Sequence, residues 1–259
     1  SNALGGAGGP LAVLIIAIVA AELGKAVSKE TRVDILVTPL VTIFAGVGLS
    51  MLIAAPIGAA ASQVGTLIMW ATEQAPLAMG ILVSVIVGVA LTLPISSAAI
   101  CAALGLTGLA GGAAVAGCCA QMIGFAVMSY KENGVGGLVS QGLGTSMLQM
   151  GNIIKNPRIW IAPTLASAIT GPLATCVFHF EMNGAAVSSG MGTCGLVGQI
   201  GVYTGWVSDI AAGTKAAITP MDWAAMVLLC FVLPAVLSVI FCEIERKLGW
   251  IKENDLKLN

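Results

Sequence analysis

Charge is what this sequence has least of. Of 259 residues only 9% are Asp, Glu, Lys or Arg, and the formal net charge is -1. So small and balanced a set offers no basic face to a phosphate backbone, which excludes nucleic acid as a partner. There is one histidine, His179. A His-rich zinc site is therefore poorly supported, and any Ser/His/Asp triad would have to be built on that residue. The cysteines are seven, an odd number, with no Cys-x-x-Cys pair among Cys101, Cys118, Cys119, Cys176, Cys194, Cys230 and Cys242. In apolar surroundings they read as small buried thiols, not as a disulfide frame or a metal site, and neither metal nor cofactor is expected. No Gly-x-x-x-x-Gly-Lys-Ser/Thr loop occurs, which excludes P-loop nucleotide hydrolysis. An initiator methionine is also missing. Ser1-Asn2-Ala3 reads as the scar of a cleaved tag, and the native sequence is expected to begin upstream of Leu4.

What is present is apolar. Hydrophobic residues make up 58% of the chain, with 33 glycines and 10 prolines, and the mean hydropathy is +0.99. At about 20 residues per crossing the chain holds roughly seven to nine crossing or half-crossing segments. The expected fold is an all-α integral membrane protein, a polytopic helical bundle with Pro- and Gly-broken helices and re-entrant hairpins. Residues 4–259 are expected to form one transmembrane domain. Small residues, as in Gly108-Leu109-Ala110-Gly111-Gly112, let helices approach backbone to backbone where lipid supplies no hydrophobic drive.

Along the chain, a first span is expected from Pro10 to Ala26, stopped by Lys25, Lys29 and Arg32, a basic cytoplasmic mark. A second span, Ile35 to Ala54, ends at Pro56, and Gly58 to Trp70 is a shorter, more polar stretch. Leu77 to Leu104 is a long span interrupted at Leu93-Pro94-Ile95-Ser96-Ser97, and Leu106 to Tyr130 is another. Gly134 to Gly151 is too polar to face lipid and reads as a re-entrant or interfacial hairpin on the cytoplasmic side, followed by Lys155 and Arg158. A span over Ile159 to Phe178 runs into His179-Phe180-Glu181-Met182-Asn183. Residues Ala185 to Trp206 suggest a second re-entrant hairpin, and a last span, Ala224 to Phe241, ends in Glu243-Ile244-Glu245-Arg246-Lys247. Prolines recur in or beside these spans at Pro39, Pro94, Pro163, Pro172 and Pro234. Each removes a donor and kinks or breaks a helix, as transporters do to expose backbone dipoles to a solute.

Glu181 is the sharpest candidate for chemistry. A carboxylate in or beside a span is costly unless it serves a ligand or pathway. With His179 and Asn183 it forms a set that both donates to and accepts from a hydroxylated solute, and Glu181 or His179 could take a hydroxyl proton. The alternative is an exposed loop between two spans. Glu73, beside Gln74 and Pro76, is either an inward polar tip or an interfacial turn, while Gln121 and Gln199 are either ligand contacts or amide glue between helices. Gly190-Met191-Gly192-Thr193-Cys194-Gly195 satisfies Gly-x-Gly-x-x-Gly, but no strand precedes it, so it is a decoy for dinucleotide binding. Its glycines instead suit a backbone turn inside the membrane.

The same stretches carry a family resemblance. Thr92-Leu93-Pro94-Ile95-Ser96-Ser97-Ala98-Ala99, Ala120-Gln121-Met122-Ile123-Gly124-Phe125, Gln141-Gly142-Leu143-Gly144-Thr145-Ser146, Asn156-Pro157-Arg158-Ile159-Trp160 and Gly190-Met191-Gly192-Thr193 resemble the membrane EIIC subunits of the bacterial sugar phosphotransferase system. Within them the likeness is to the group labelled toxin-gene regulators of PfoR type. The resemblance implies an EIIC-like fold in the bacterial plasma membrane with native membrane sequence ahead of residues 4–259, a homodimer among lipid, a sugar substrate, and a cytosolic EIIB partner that donates the phosphoryl group. It implies sugar contacts at Glu181 and His179, with Asn183, Gln121, Gln199, Glu73 and Thr193 completing the candidate set. Three functions remain open on the residues themselves: a sugar permease subunit, a membrane-embedded regulator that senses a ligand without moving it, and an ion-coupled secondary transporter.

Overall fold

The computed structural model describes residues 9–28 and 34–258. The tag residues Ser1-Asn2-Ala3 and the basic Lys29 and Arg32 lie outside the described residues. The helices are α1 (Gly9–Val27), α2 (Asp34–Gln74), α3 (Pro76–Thr92), α4 (Ser97–Leu104), α5 (Gly108–Met128), α6 (Tyr130–Val139), α7 (Met150–Lys155), α8 (Ile161–Pro172), α9 (Val197–Ala211), α10 (Pro220–Val227) and α11 (Leu233–Lys247). Short tighter or wider turns of helix join several of them, so that 157–177 and 220–247 are each continuous enough to cross a membrane, as are α2 and α5. The described residues contain no strand, only an isolated antiparallel bridge between Gly108 and Met182. Bilayer physics accounts for this, since a helix satisfies its backbone groups internally where no water is available.

The chain divides into two compact units, Ser1–Thr66 with Ala102–Leu104, and Leu67–Cys101 with Gly105–Asn259. In the first, Ala12 and Ile16 of α1 pack on Ala54 of α2, flanked by Leu49, Ile53 and Ile57. Pro56 does not end the second span as its sequence suggested. It lies inside α2, as does Pro39, and α2 runs on through Gly58 to Trp70 for 41 residues, about 60 Å. A proline removes one ladder bond and kinks a membrane helix without having to stop it.

The second unit is organised around α5, which is buried from Ala110 to Met122 without a break. α3, α8 and α11 pack around it. Close approach requires a missing side chain: a Cβ on Gly117 would stand 2.0 Å from the carbonyl oxygen of Ser84. Hydroxyl bonds set the directions of the helices. Ser84 donates to the Ser167 carbonyl at 2.8 Å and Thr175 to that of Pro76 at 2.7 Å, so α3 and α8 are antiparallel. Ser167 donates to the Gly117 carbonyl at 3.2 Å, and Thr92 lies beside Gln121, so α3 runs parallel to α5.

One expected span is a hairpin instead. α3 starts level with the beginning of α5 and reaches Gln121 by Thr92, yet the chain is back at the start of α5 by Gly108. Residues 93–107 therefore return to the end from which α3 entered. Pro94 lacks the N–H to continue the helix, the chain folds tightly with the Ile95 N–H on the Leu93 carbonyl at 2.7 Å, and Ser97 ties the turn to the Gly190 carbonyl at 2.6 Å.

The two Gly-rich stretches form re-entrant hairpins, as their polarity suggested. α6 runs back along α5, a wide turn over 140–144 reverses the chain, and α7 returns to the starting end. The second hairpin enters from the opposite end after Asn183, turns at Gly192 and Thr193, and leaves through α9. Gly192 adopts φ +53 there, and a Cβ on it would lie 2.7 Å from that of Cys118. The hairpin tips meet: the Thr193 hydroxyl donates to the Gly142 carbonyl at 2.5 Å and touches Met122 Sδ at 3.6 Å. Met122 is about 20 Å along α5 from Gly108.

The two ends of this unit differ. At one end Lys131 pairs with Glu243 at 2.8 Å and Arg246 with Glu132 at 2.6 Å, and Arg158 lies over the Trp250 ring just after α11. The opposite end holds a polar cavity.

Candidate functional site

The cavity begins where α8 gives out. Its last turn widens over 173–177, the Phe178 N–H reaching the Leu173 carbonyl at 3.0 Å. His179 then takes a left-handed φ of +44 that turns the chain out of the helix. From there the backbone is extended, pinned by the Phe180 N–H on Ala174 (2.8 Å) and by the Gly108–Met182 pair of bonds. In an extended chain alternate side chains point to opposite faces. Phe180 and Met182 are buried in the core beside Trp206, Met226 and Leu229, so His179, Glu181 and Asn183 face the other way.

They face a cavity of about 540 Å³ lined also by Phe178, Trp206, Asp209, Lys215 and Asp222, with Thr214, Thr219, Met221 and Ala225 completing the wall. Asn183 is its organiser. The amide nitrogen donates to Glu181 Oε2 at 3.0 Å and to Asp209 Oδ2 at 2.9 Å. Two carboxylates thus share one donor and keep their other oxygens for a ligand. Across the cavity Lys215 pairs with Asp222 at 2.8 Å, its ammonium standing 5.7 Å from the Trp206 ring. Asp222 also closes a capping box: it accepts from the Thr219 N–H at 2.7 Å while its own N–H bonds the Thr219 hydroxyl at 3.3 Å, with Pro220 in the first turn of α10. Trp206 is buried and meets Trp223 edge to face at 5.6 Å, which fixes that wall.

The other sequence candidates stand elsewhere. Gln121 is fully buried among the spans, its Oε1 accepting the Trp160 indole N–H at 2.9 Å and its Nε2 reaching Thr164 at 3.2 Å and Ser167 at 3.5 Å. Gln199 donates to Cys119 Sγ at 3.2 Å, and its Oε1 is buried without a partner. Thr193 joins the hairpin tips, and Glu73 is exposed near the end of α2. None of the four lines the cavity. Asp209, Lys215, Asp222 and Trp206 line it without having been singled out from the sequence. Signals for them existed: a helix-start pattern in Thr219-Pro220-Met221-Asp222, and a lone acid after the apolar turn Gly205-Trp206-Val207.

A family model described as phosphotransferase system, EIIC, matches residues 1–258. The chain belongs to that family. It is accordingly a multi-pass membrane component of a phosphotransferase system. No curated protein and no solved structure matches it.

As a site in an EIIC chain, the cavity combines acceptors, donors and an aromatic wall. Glu181, Asp209 and Asp222 accept; His179, Lys215, Thr214 and Thr219 have donors; Trp206, Phe178 and Met221 supply apolar faces. Carboxylate acceptors paired with flat apolar surface suit a neutral polyhydroxylated molecule, whose hydroxyls point around the ring and whose C–H faces are apolar.

Proposed function

We propose that this chain is the sugar-translocating subunit of its phosphotransferase system and that the cavity is where the sugar is first held. The observation that carries the reading is the convergence of Glu181, His179 and Asn183 on one 540 Å³ cavity in a chain of the EIIC family. The basic end, with Lys131, Lys155, Arg158, Arg246 and Lys247, is the cytoplasmic one by the excess of positive charge. The cavity then opens on the outer side, and a cytosolic EIIB partner meets the sugar only after it has passed the hairpin tips. This chain orients the sugar: Glu181 and His179 hold its hydroxyls in the cavity before it passes the tips to EIIB, which carries the phosphoryl group. Family membership also supports a homodimer in the bacterial plasma membrane.

The test is thermal stability of the purified protein in detergent against a panel of sugars, with Glu181→Gln beside the wild type. A true ligand at about 100 times its dissociation constant adds about 2.7 kcal/mol. One sugar is expected to stabilise the wild type and not the variant, and vesicles supplied with phosphorylated EIIB should then accumulate the sugar phosphate. Binding without any phosphorylated product would replace this reading with that of a membrane-embedded sensor. Stabilisation of both proteins alike would remove Glu181 from the site.

A further inference from the structure

The segment after α11 is not a loose end. Residues 248–258 lie across the first hairpin, and the amide side chains of that hairpin hold the backbone of the tail. Asn133 donates to the Leu256 carbonyl at 2.8 Å and accepts from the Leu258 N–H at 2.8 Å. Gln149 donates to the same Leu256 carbonyl at 3.0 Å, and Asn152 to that of Lys257 at 2.9 Å. Farther along, Asn156 holds the Trp250 carbonyl and the Asp255 carboxylate at 2.9 and 2.8 Å, while Arg158 stacks over the Trp250 ring at 5.6 Å. Ile251 and Leu256 are buried in the apolar cluster of Phe125, Ile153 and Ile159.

These contacts continue inward. Gln149 donates to Gln141 Oε1 at 2.9 Å, and Gln141 donates to Ser129 at 2.7 Å. Gln141 and Gln149 are fully buried. Gln141 stands next to Gly142, whose carbonyl takes the Thr193 hydroxyl of the opposite hairpin. An unbroken line of hydrogen bonds and one covalent step therefore runs from the C-terminal tail to the tip of the hairpin that leads away from the cavity. The first hairpin cannot leave Thr193 while the tail holds both of its limbs, Asn133 on the way in and Gln149 and Asn152 on the way out.

We propose that residues 248–258 are a latch that keeps the first hairpin seated against the second and so keeps the passage between the tips closed until the tail is released. The consequence for sugar passage rests on the permease reading above, but the latch itself does not. Its physical basis is that five of these tail contacts are made by neutral amides to backbone groups, strong enough together to order the tail and individually weak enough to exchange with a partner or with water.

Cys194 reports on the latch directly. It adjoins Thr193, is partly buried, and belongs to the turn 194–196 that packs on 140–144. Cys176, the other partly buried thiol, lies at the far end of its helix and serves as the control. The full chain and a variant lacking residues 250–259 are labelled with N-ethylmaleimide in detergent, and the rate at each cysteine is read by peptide mass. Truncation is expected to raise the Cys194 rate about tenfold, the factor that corresponds to losing one or two buried hydrogen bonds. Cys176 should not change, and a synthetic peptide of residues 248–259 should restore protection. Lys252→Ala, on an exposed tail side chain, should label like wild type. Should the truncated chain not elute as a folded species, Asn133→Ala with Asn152→Ala gives the same readout. A wild-type Cys194 rate in a folded chain without its latch, or an equal rise at both cysteines, overturns the proposal. No sugar enters the measurement, so its failure leaves the permease reading standing, and a failed sugar panel leaves the latch standing.

Discussion

The Thr193 hydroxyl donates to the Gly142 carbonyl at 2.5 Å, and that bond joins two hairpins entering the bundle from opposite ends. Both partners are buried, at the level of Met122 of α5. On the permease reading proposed above, a sugar leaving Glu181 for the basic end meets these joined tips. The bond is polar, and around it the turn 194–196 packs on 140–144.

Asp209 is expected to matter to the ligand although the sequence did not single it out. Asp209→Asn removes a charged acceptor that shares Asn183 with Glu181, and hydrogen bonds to charged groups contribute about 1.5–3 kcal/mol. Affinity for the stabilising sugar should fall by roughly tenfold or more with little change in melting temperature, as measured by titration calorimetry. An unchanged affinity would limit the site to the 179–183 segment.

Gln121 should behave in the opposite way. Gln121→Leu leaves the partly buried Trp160 indole N–H without its acceptor, while the Thr164 and Ser167 hydroxyls keep their bonds to the Trp160 and Pro163 carbonyls. The cost is about 1–3 kcal/mol of stability, seen as a lower thermal midpoint. Sugar affinity should stay at the wild-type value, because the side chain is remote from the cavity.

The hairpin turn can be probed at two glycines that share a left-handed backbone. Gly192→Ala meets both the unfavourable φ and the clash with Cys118, whereas Gly195→Ala, at φ +52, meets only Val197 at 3.8 Å. The second substitution should cost about 1–2 kcal/mol for the backbone alone. The first should cost clearly more by thermal unfolding, and equal costs would mean that the second hairpin does not press on α5.

The thiols give a quick test of the packing. Cys176 and Cys194 should react with a maleimide in the native protein, while Cys101, Cys118, Cys119, Cys230 and Cys242 should react only after unfolding, since each is buried. Early labelling of Cys118 or Cys119 would contradict the seating of Gly192 against α5.

Part of the site was readable from residue order. The pattern His179-Phe180-Glu181-Met182-Asn183 alternates polar and apolar side chains, the mark of an extended chain with one buried face, and it brings the three polar side chains to one side. Asp209 and Lys215 were not readable in that way. They arrive from α9 and the loop after it, 26 and more positions along the chain from Asn183, and nothing in local spacing measures how far a re-entrant helix returns. The long α3–α4 stretch departs from the expected crossing for a related reason: a proline-broken apolar run has the composition of a crossing whether it continues or turns back, and only the Ser97 bond to Gly190 and the start of α5 beside Met182 distinguish the two.

Sequence by itself determined the solvent and the class of fold. With 9% charged and 58% hydrophobic residues, the chain has nothing to solvate long exposed stretches in water, and its backbone must be satisfied within helices. Glycine and proline in the polar stretches marked where those helices break and re-enter. Tertiary structure alone decided which broken ends meet. Contacts such as Thr193 with Gly142, Asn183 with Asp209, and Gln149 with Leu256 join residues 26 to 107 positions apart. Partners at such separations are set by how deep each hairpin penetrates and how closely small residues let helices pack, and both are properties of the assembled bundle.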